Sequence, residues 1–287
     1  MDTRVKSTGY RRLPESLLLL SILVLLLRWM LFRHSKITQS PMTLLAPLAA
    51  GAGRLSLPKG SKTPPAFDLK IPRPVLVTSL PKSGTTSTWK YFGCGLGKGK
   101  AAHQNAKVME GKEAKLIKLG KCLKDNAMKK RKYFQGCGNY EVWTDAGIVA
   151  PGICYYPSIH GGLQAFYNSY PTATILQVNR DTEAWVNSTT EFNDLWRRWS
   201  EKCDKFPGVG STRDDYGRFY EWHTAMVRQF AKNHPSLTYI EVSLEGEQTG
   251  RILESATGIN ASCWIHSRTK KGRRGHQKIA GGMTKEN

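Results

Sequence analysis

The chain has 287 residues, 40% of them hydrophobic and 10% aromatic, with a formal net charge of +21. That length admits one substantial domain with appendages or two small ones, and that apolar content excludes a wholly disordered chain. The basic excess points to polyanionic partners (nucleic acid, anionic lipid, anionic glycan or a phosphorylated cofactor) and carries no information about fold.

A short tail over 1–12 carries Arg4, Lys6, Arg11 and Arg12, and an apolar stretch follows over 13–33. Only Ser21 interrupts the run Leu17 to Leu27, which resumes at Trp29 to Phe32 after Arg28. Such a stretch reaches the minimum length for crossing a bilayer, and the basic residues ahead of it place the N-terminus in the cytosol. The expectation is a retained, single-pass signal anchor of type II orientation. A cleaved signal peptide, with its cleavage region around Ala49-Ala50-Gly51-Ala52-Gly53, is the competing reading. Both send the remainder into the secretory pathway, away from nucleic acid. Residues 34–71 have the composition of a stem, and 269–287 form a basic, glycine-rich tail.

All six cysteines follow the membrane segment, so a lumenal domain would allow disulfides, with the pairing open. No CxxC pair exists and the histidines are scattered, so no metal site is expected. No feature specifies an oligomeric state.

Between stem and tail, strands and helices alternate. Pro74 to Leu80 is a β-branched apolar run that reads as a buried strand. Gly93 to Lys100 is glycine-rich without a strand directly before it, and reads as a flexible loop rather than a second phosphate site. Residues 98–132 hold eleven lysines; Lys112, Lys115, Lys118, Lys121 and Lys124 recur every third position beside Leu116, Leu119 and Leu123. That spacing reads as a basic helix, either simply solvated or an acceptor surface for an acidic glycan. Gly161 to Tyr170 predicts a helix, Thr174 to Val178 a strand, and Asp181 to about Cys203 one long helix. The stripe Tyr216, Phe219, His223, Met226, Phe230 predicts another helix, closed by Pro235; a strand over Leu237 to Val242 and a helix over Gly246 to Thr257 complete the series. The aromatic stripe residues Trp185, Trp196, Trp199, Phe219 and Phe230 are expected in the core. The series predicts an α/β domain over 72–268 with an open, mostly parallel sheet flanked by helices, and ligands beyond the carboxyl ends of the strands.

At the carboxyl end of the first strand stands Pro81-Lys82-Ser83-Gly84-Thr85-Thr86-Ser87. Gly84 permits a sharp turn, and the free N–H groups of a helix opening there form an anion cradle. Lys82 adds a positive charge, and the hydroxyls of Thr85, Thr86 and Ser87 add donors. The spacing is not that of a Walker A loop, which puts its lysine after the glycine and next to a metal-binding hydroxyl.

This loop resembles the 5′-phosphosulfate loop of sulfotransferases that use 3′-phosphoadenosine 5′-phosphosulfate (PAPS). That family also carries a strand ending in Arg with a Ser eight residues on, which holds the donor's 3′-phosphate; Arg180 and Ser188 fit that pattern. Tyr239 to Val242 and Gly258 to His266 are similar to the end of membrane-bound, carbohydrate-type and algal members. Ser87 stands where cytosolic relatives commonly have Trp, and Thr182 where many members have Pro; Lys270-Lys271-Gly272 only echoes their C-terminal phosphate-gripping loop. The resemblance implies a P-loop-like sulfotransferase fold, a Golgi location, PAPS as co-substrate with no metal, and a hydroxyl or amine acceptor, with a glycan the leading class. It implies that Lys82, Ser83, Gly84, Thr85, Thr86, Ser87, Arg180 and Ser188 bind the donor, with Lys82 catalytic.

A general base is needed to deprotonate the acceptor. His103, Glu141, Asp145 and His160 are candidates, with Asp145 favoured and His103 next. Asn187 and Asn260 begin formal glycosylation sequons; if Ser188 holds the donor, Asn187 is too crowded for a glycan, which leaves Asn260. Two other readings are a nucleotide kinase or NTPase built on the same loop, and a non-enzymatic, membrane-tethered polyanion binder.

Overall fold

The computed structural model describes residues 68–193, 195–203 and 210–267. The predicted cytosolic tail, membrane segment, most of the stem and the basic tail lie outside the described residues. Among the described residues, no helix is long and apolar enough to cross a membrane.

In chain order the elements are β1 (Val75–Val77), α1 (Thr85–Leu96), β2 (Ala101–His103), β3 (Asn105–Glu110), β4 (Glu113–Lys118) and α2 (Leu119–Met128). Next come β5 (Val142–Thr144), β6 (Ile148–Ala150), β7 (Ile153–Tyr155), α3 (Gly162–Ser169), β8 (Thr174–Asn179), α4 (Thr182–Thr190) and α5 (Leu195–Lys202). The series ends with α6 (Arg213–Asn233), β9 (Thr238–Ser243), α7 (Thr249–Thr257) and a 3₁₀ turn, Ala261–Cys263. The main sheet has the order β4-β3-β2-β5-β1-β8-β9, with β2, β5, β1, β8 and β9 parallel and β3 and β4 antiparallel. A separate hairpin pairs β6 with β7.

Strand alternation sorts the core onto two faces. Leu76, Trp143 and Ile175 pack with Leu119, Leu123, Phe166 and Val227 from α2, α3 and α6. Val75, Val77, Leu176 and Val178 pack with Tyr91, Phe92 and Leu253 from α1 and α7. Above the strand ends a third cluster joins Leu80, Trp185, Trp199, Phe219 and Tyr220. Trp185, Trp199 and Phe219 are fully buried, whereas Trp196 and Phe230 are only partly buried.

Three local expectations are corrected. The basic run is not one helix: β3 and β4 form a hairpin with Glu110 opposite Glu113, and α2 begins only at Leu119. Gly111, with φ 65, occupies the first central position of the two-residue turn, as a type II′ hairpin requires. The predicted helix from Asp181 to Cys203 is two helices, because Asn193 adopts φ 46, in the left-handed region, and cannot continue a right-handed helix. The glycine-rich stretch from Gly93 belongs to α1 as far as Leu96, and turns only at Gly97 and Gly99, which have φ 91 and 87.

The six cysteines form three disulfides: Cys94–Cys263, Cys122–Cys137 and Cys154–Cys203. The first closes a separation of 169 residues and fastens the 3₁₀ turn to α1.

His223 on α6 is 1% exposed, and its Nε2 lies 2.7 Å from Ser158 Oγ. Burial pushes its pKa down to about 3, so the folded protein holds it neutral. The unfolded chain protonates this imidazole near its ordinary value of about 6.5. Its contribution to stability is therefore complete above that pH and is lost as pH falls from there toward 3. From this group alone, unfolding free energy is expected to drop by about 2 kcal/mol between pH 7 and pH 5. Urea titrations at both pH values should show that drop, and His223→Gln should flatten it.

Candidate active site

The carboxyl ends of the five parallel strands meet at one cleft, as ligand sites of open α/β sheets do. β1 feeds the Lys82 loop; Gln104, Asp145, Arg180 and Glu245 follow β2, β5, β8 and β9.

The loop is shaped by its attachments to β8. Thr78 N–H donates to Leu176 O at 3.0 Å, and Val178 N–H donates to Ser79 Oγ at 2.7 Å, which carries the pairing past the end of β1. Trp185 Nε1 donates to Pro81 O at 2.9 Å. Lys82 then takes φ 73 and Gly84 φ 93, and α1 starts at Thr85. The positive dihedral of Gly84 requires glycine, and a Cβ there would also have to push aside Leu244 Cδ1, which it would approach to 2.7 Å. The opening N–H groups of α1 have no intrahelical acceptors, and the positive end of its dipole faces the cleft.

Lys82, Gly84, Thr85, Thr86, Ser87, Arg180 and Ser188 all line this cleft. Ser83 does not: it is fully buried, its N–H donates to Leu80 O at 3.2 Å, and its Oγ donates to Tyr220 Oη at 3.4 Å. Ser87 Oγ accepts from Ser267 N–H at 3.0 Å, which brings the segment after the Cys94–Cys263 disulfide against the loop. Lys82 Nζ sits 3.9 Å over the Phe192 ring. Although 98 positions separate them, Arg180 Nη1 donates to Lys82 O at 3.4 Å. Arg180 Nε also donates to Glu245 Oε1 at 2.7 Å.

Asp145 is 7% exposed, at φ 47, and its Oδ2 accepts from Gln104 Nε2 at 2.6 Å. His103 stands behind it, with Nε2 3.7 Å from the same carboxylate oxygen and 3.3 Å from Thr86 Oγ1. Asp145 and Gln104 also line a second, adjoining cavity whose other wall includes Lys118, Tyr156 and Arg198. The two remaining base candidates are engaged elsewhere. Glu141, which precedes β5 at the opposite end of the sheet, pairs with Arg73 at 2.7 Å and Lys100 at 2.9 Å. His160 Nδ1 accepts from Tyr156 N–H at 2.9 Å. Among the described residues, no group of His, Cys, Asp and Glu could hold a metal ion.

Sequence reasoning did not single out Gln104, Tyr220, Arg198 or Glu245. Tyr220 alone had a signal, its helical spacing after Tyr216 on α6 with a polar tip among apolar neighbours.

A family model described as a sulfotransferase domain matches residues 74–245. The chain belongs to that family, and its class of chemistry is sulfuryl transfer. The match spans the sheet from β1 to the end of β9, with Lys82, Asp145 and Arg180 inside it. No curated protein matches the chain.

Tyr220 Oη accepts from both Arg180 N–H, at 2.6 Å, and Ser83 Oγ, and burial raises its pKa. Tyr220→Phe leaves that amide and hydroxyl without an acceptor. The expected loss is about 1–3 kcal/mol of unfolding free energy, measurable by chemical denaturation.

Proposed function

We propose that this chain transfers a sulfuryl group from PAPS to a hydroxyl or amine of a glycan acceptor, as a single-pass, type II Golgi membrane protein with a lumenal catalytic domain. The observation that carries the reading is the meeting of the Lys82 loop with Arg180 and Ser188 at one cleft. The donor set fits a bisphosphorylated nucleotide. Helix-start N–H groups with Thr85 and Thr86 suit the 5′-phosphosulfate, and Arg180 with Ser188 suits the 3′-phosphate. Arg180 keeps donors available, because a guanidinium carries five N–H groups and Glu245 accepts from Nε.

PAPS supplies the activated sulfuryl group. As the acceptor oxygen bonds to sulfur, the bond from sulfur to the 5′-phosphate oxygen breaks, and the 3′,5′-bisphosphate departs. Lys82 neutralises the charge growing on that departing oxygen, a type of stabilisation worth about 3–4 kcal/mol per donor. Asp145, at the junction of the two cavities, takes the acceptor's proton, and Gln104 and His103 orient its carboxylate.

Three features support the secretory assignment. All six cysteines are in disulfides, which persist in oxidising compartments. The apolar stretch over 13–33 follows basic residues. Asn260 opens a glycosylation sequon and is exposed.

Calorimetry should find adenosine 3′,5′-bisphosphate binding more tightly than Mg-ATP; the reverse order would favour the NTPase reading. Lys82→Ala should abolish turnover with an unchanged circular dichroism spectrum. Arg180→Ala should weaken bisphosphate binding by roughly 10–100-fold while leaving adenosine 5′-phosphosulfate, which lacks the 3′-phosphate, little affected. For Asp145→Asn, steady-state assays should show kcat reduced by about 10²–10⁴-fold with bisphosphate affinity retained.

A further inference from the structure

The cavity beside the donor cleft has an uneven charge distribution. Among the described residues, Asp145 is the one acid in its lining and stands at the shared edge, while Lys118 and Arg198 contribute cations. Arg198 belongs to α5, and its Nε is shielded from solvent without a hydrogen-bond partner. Among the described residues, no carboxylate forms an ion pair with it. Arg198 lines the cavity, and a guanidinium carries further N–H donors besides that shielded Nε. The adjacent Arg197 differs: more than half exposed, it approaches Glu201 at 3.9 Å.

Lys118 ends β4 and points the same way. Two of its counterparts in the basic run have carboxylate partners on the protein, Lys115 with Glu110 at 3.0 Å and Lys121 with Asp125 at 3.5 Å. Lys118 instead joins Arg198 in the cavity wall. Ile148, Val149 and Leu195 supply an apolar wall beside these cations, where a charge contact is less screened than on the open surface.

We infer that this cavity selects acceptors carrying an anionic group near the hydroxyl to be sulfated, with Arg198 the residue that binds the anion and Lys118 assisting. The inference rests on the sulfotransferase reading above and names the acceptor class for it. The guanidinium fork matches the paired oxygens of a carboxylate or a sulfate. A uronic acid and a sugar already bearing an ester sulfate both present that chemistry.

The test uses the full-length chain and three matched disaccharides: one with a hexuronate, the same with its carboxyl reduced to the alcohol, and the reduced form with one ester sulfate. The expected result is a KM for an acidic disaccharide roughly 10–100-fold below that of the neutral one, the size of a charged hydrogen bond. The preferred arm identifies the carboxylate or the sulfate as the source. Arg198→Gln should erase the preference, Arg198→Lys should restore part of it, and Arg197→Gln should keep it whole. Transfer to all three sugars with equal KM, or a preference that survives in Arg198→Gln, overturns the inference and leaves the sulfotransferase reading standing. Equilibrium binding of the same sugars to protein saturated with adenosine 3′,5′-bisphosphate gives an arm independent of turnover. Acidic sugars binding through Arg198 without transfer to any acceptor would uphold the anion site and overturn the reaction instead.

Discussion

The parallel ladder between β1 and β8 pairs Val75 with Thr174, Leu76 with Ile175 and Val77 with Leu176, and the cleft depends on it. A ladder of three residues is short, and the chain reinforces it just where the strands diverge. Ser79 accepts from Val178 N–H, Thr78 donates to Leu176 O, and one phenol, Tyr220, accepts from both the Ser83 hydroxyl and the Arg180 amide. Since side chains alternate faces along a strand, a slip of one residue would turn Arg180 away from Lys82. The buried hydrophobic residues on both faces of this sheet, from Val75 to Val178, fix the register more firmly than polar contacts alone could.

Bringing Lys82 and Arg180 together places two positive charges at the end of one helix dipole. Each is held by a contact that a ligand can share or displace. Lys82 lies over Phe192 in a cation–π arrangement that stabilises the ammonium. Arg180 is bound by Glu245, whose side chain is 41% exposed. An ion pair so open to water is worth about 0–1 kcal/mol, little to give up when a phosphate arrives. The cleft thus presents two cations to an arriving anion, beside the carboxylates of Asp145 and Glu245. Tyr220, buried and neutral, adds stiffness beneath it and no charge.

How much of this could be read from the sequence follows from how locally each feature is encoded. The Lys82 loop was legible because a strand, a glycine and a run of hydroxyls are contiguous, and Gly84 takes the left-handed dihedral that such a turn demands. Arg180 and Ser188 were legible because both lie within the strand-to-helix step after β8. The core strand Thr174–Asn179 and the helix Arg213–Asn233 carry their own periodicity. The hairpin at Gly111 was hidden by lysines whose spacing of three imitates a helical face, although β4 lies at the sheet edge with its side chains mostly exposed. The break at Asn193 was hidden by aromatic residues that keep helical spacing across it, since Phe192 serves Lys82 while Trp199 serves the core. Gln104 and Arg198 matter only through what lies opposite them in space, and no local pattern encodes that.

The net charge of +21 looks like the dominant property of the chain, yet the geometry gives it a subordinate part. Lysines such as Lys112, Lys115 and Lys124 lie on or near the surface, where water and salt weaken each of them within about 10 Å. They raise the encounter rate with any polyanion and distinguish poorly among such partners. Discrimination needs a cation set in a shaped, partly apolar site, and Arg198 lines such a cavity. A guanidinium there can meet a carboxylate or sulfate with two parallel N–H donors, whereas an exposed lysine offers a hydrated point charge. On the inference drawn above, specificity for an acidic acceptor belongs to one arginine in a partly apolar cavity rather than to the many lysines outside it.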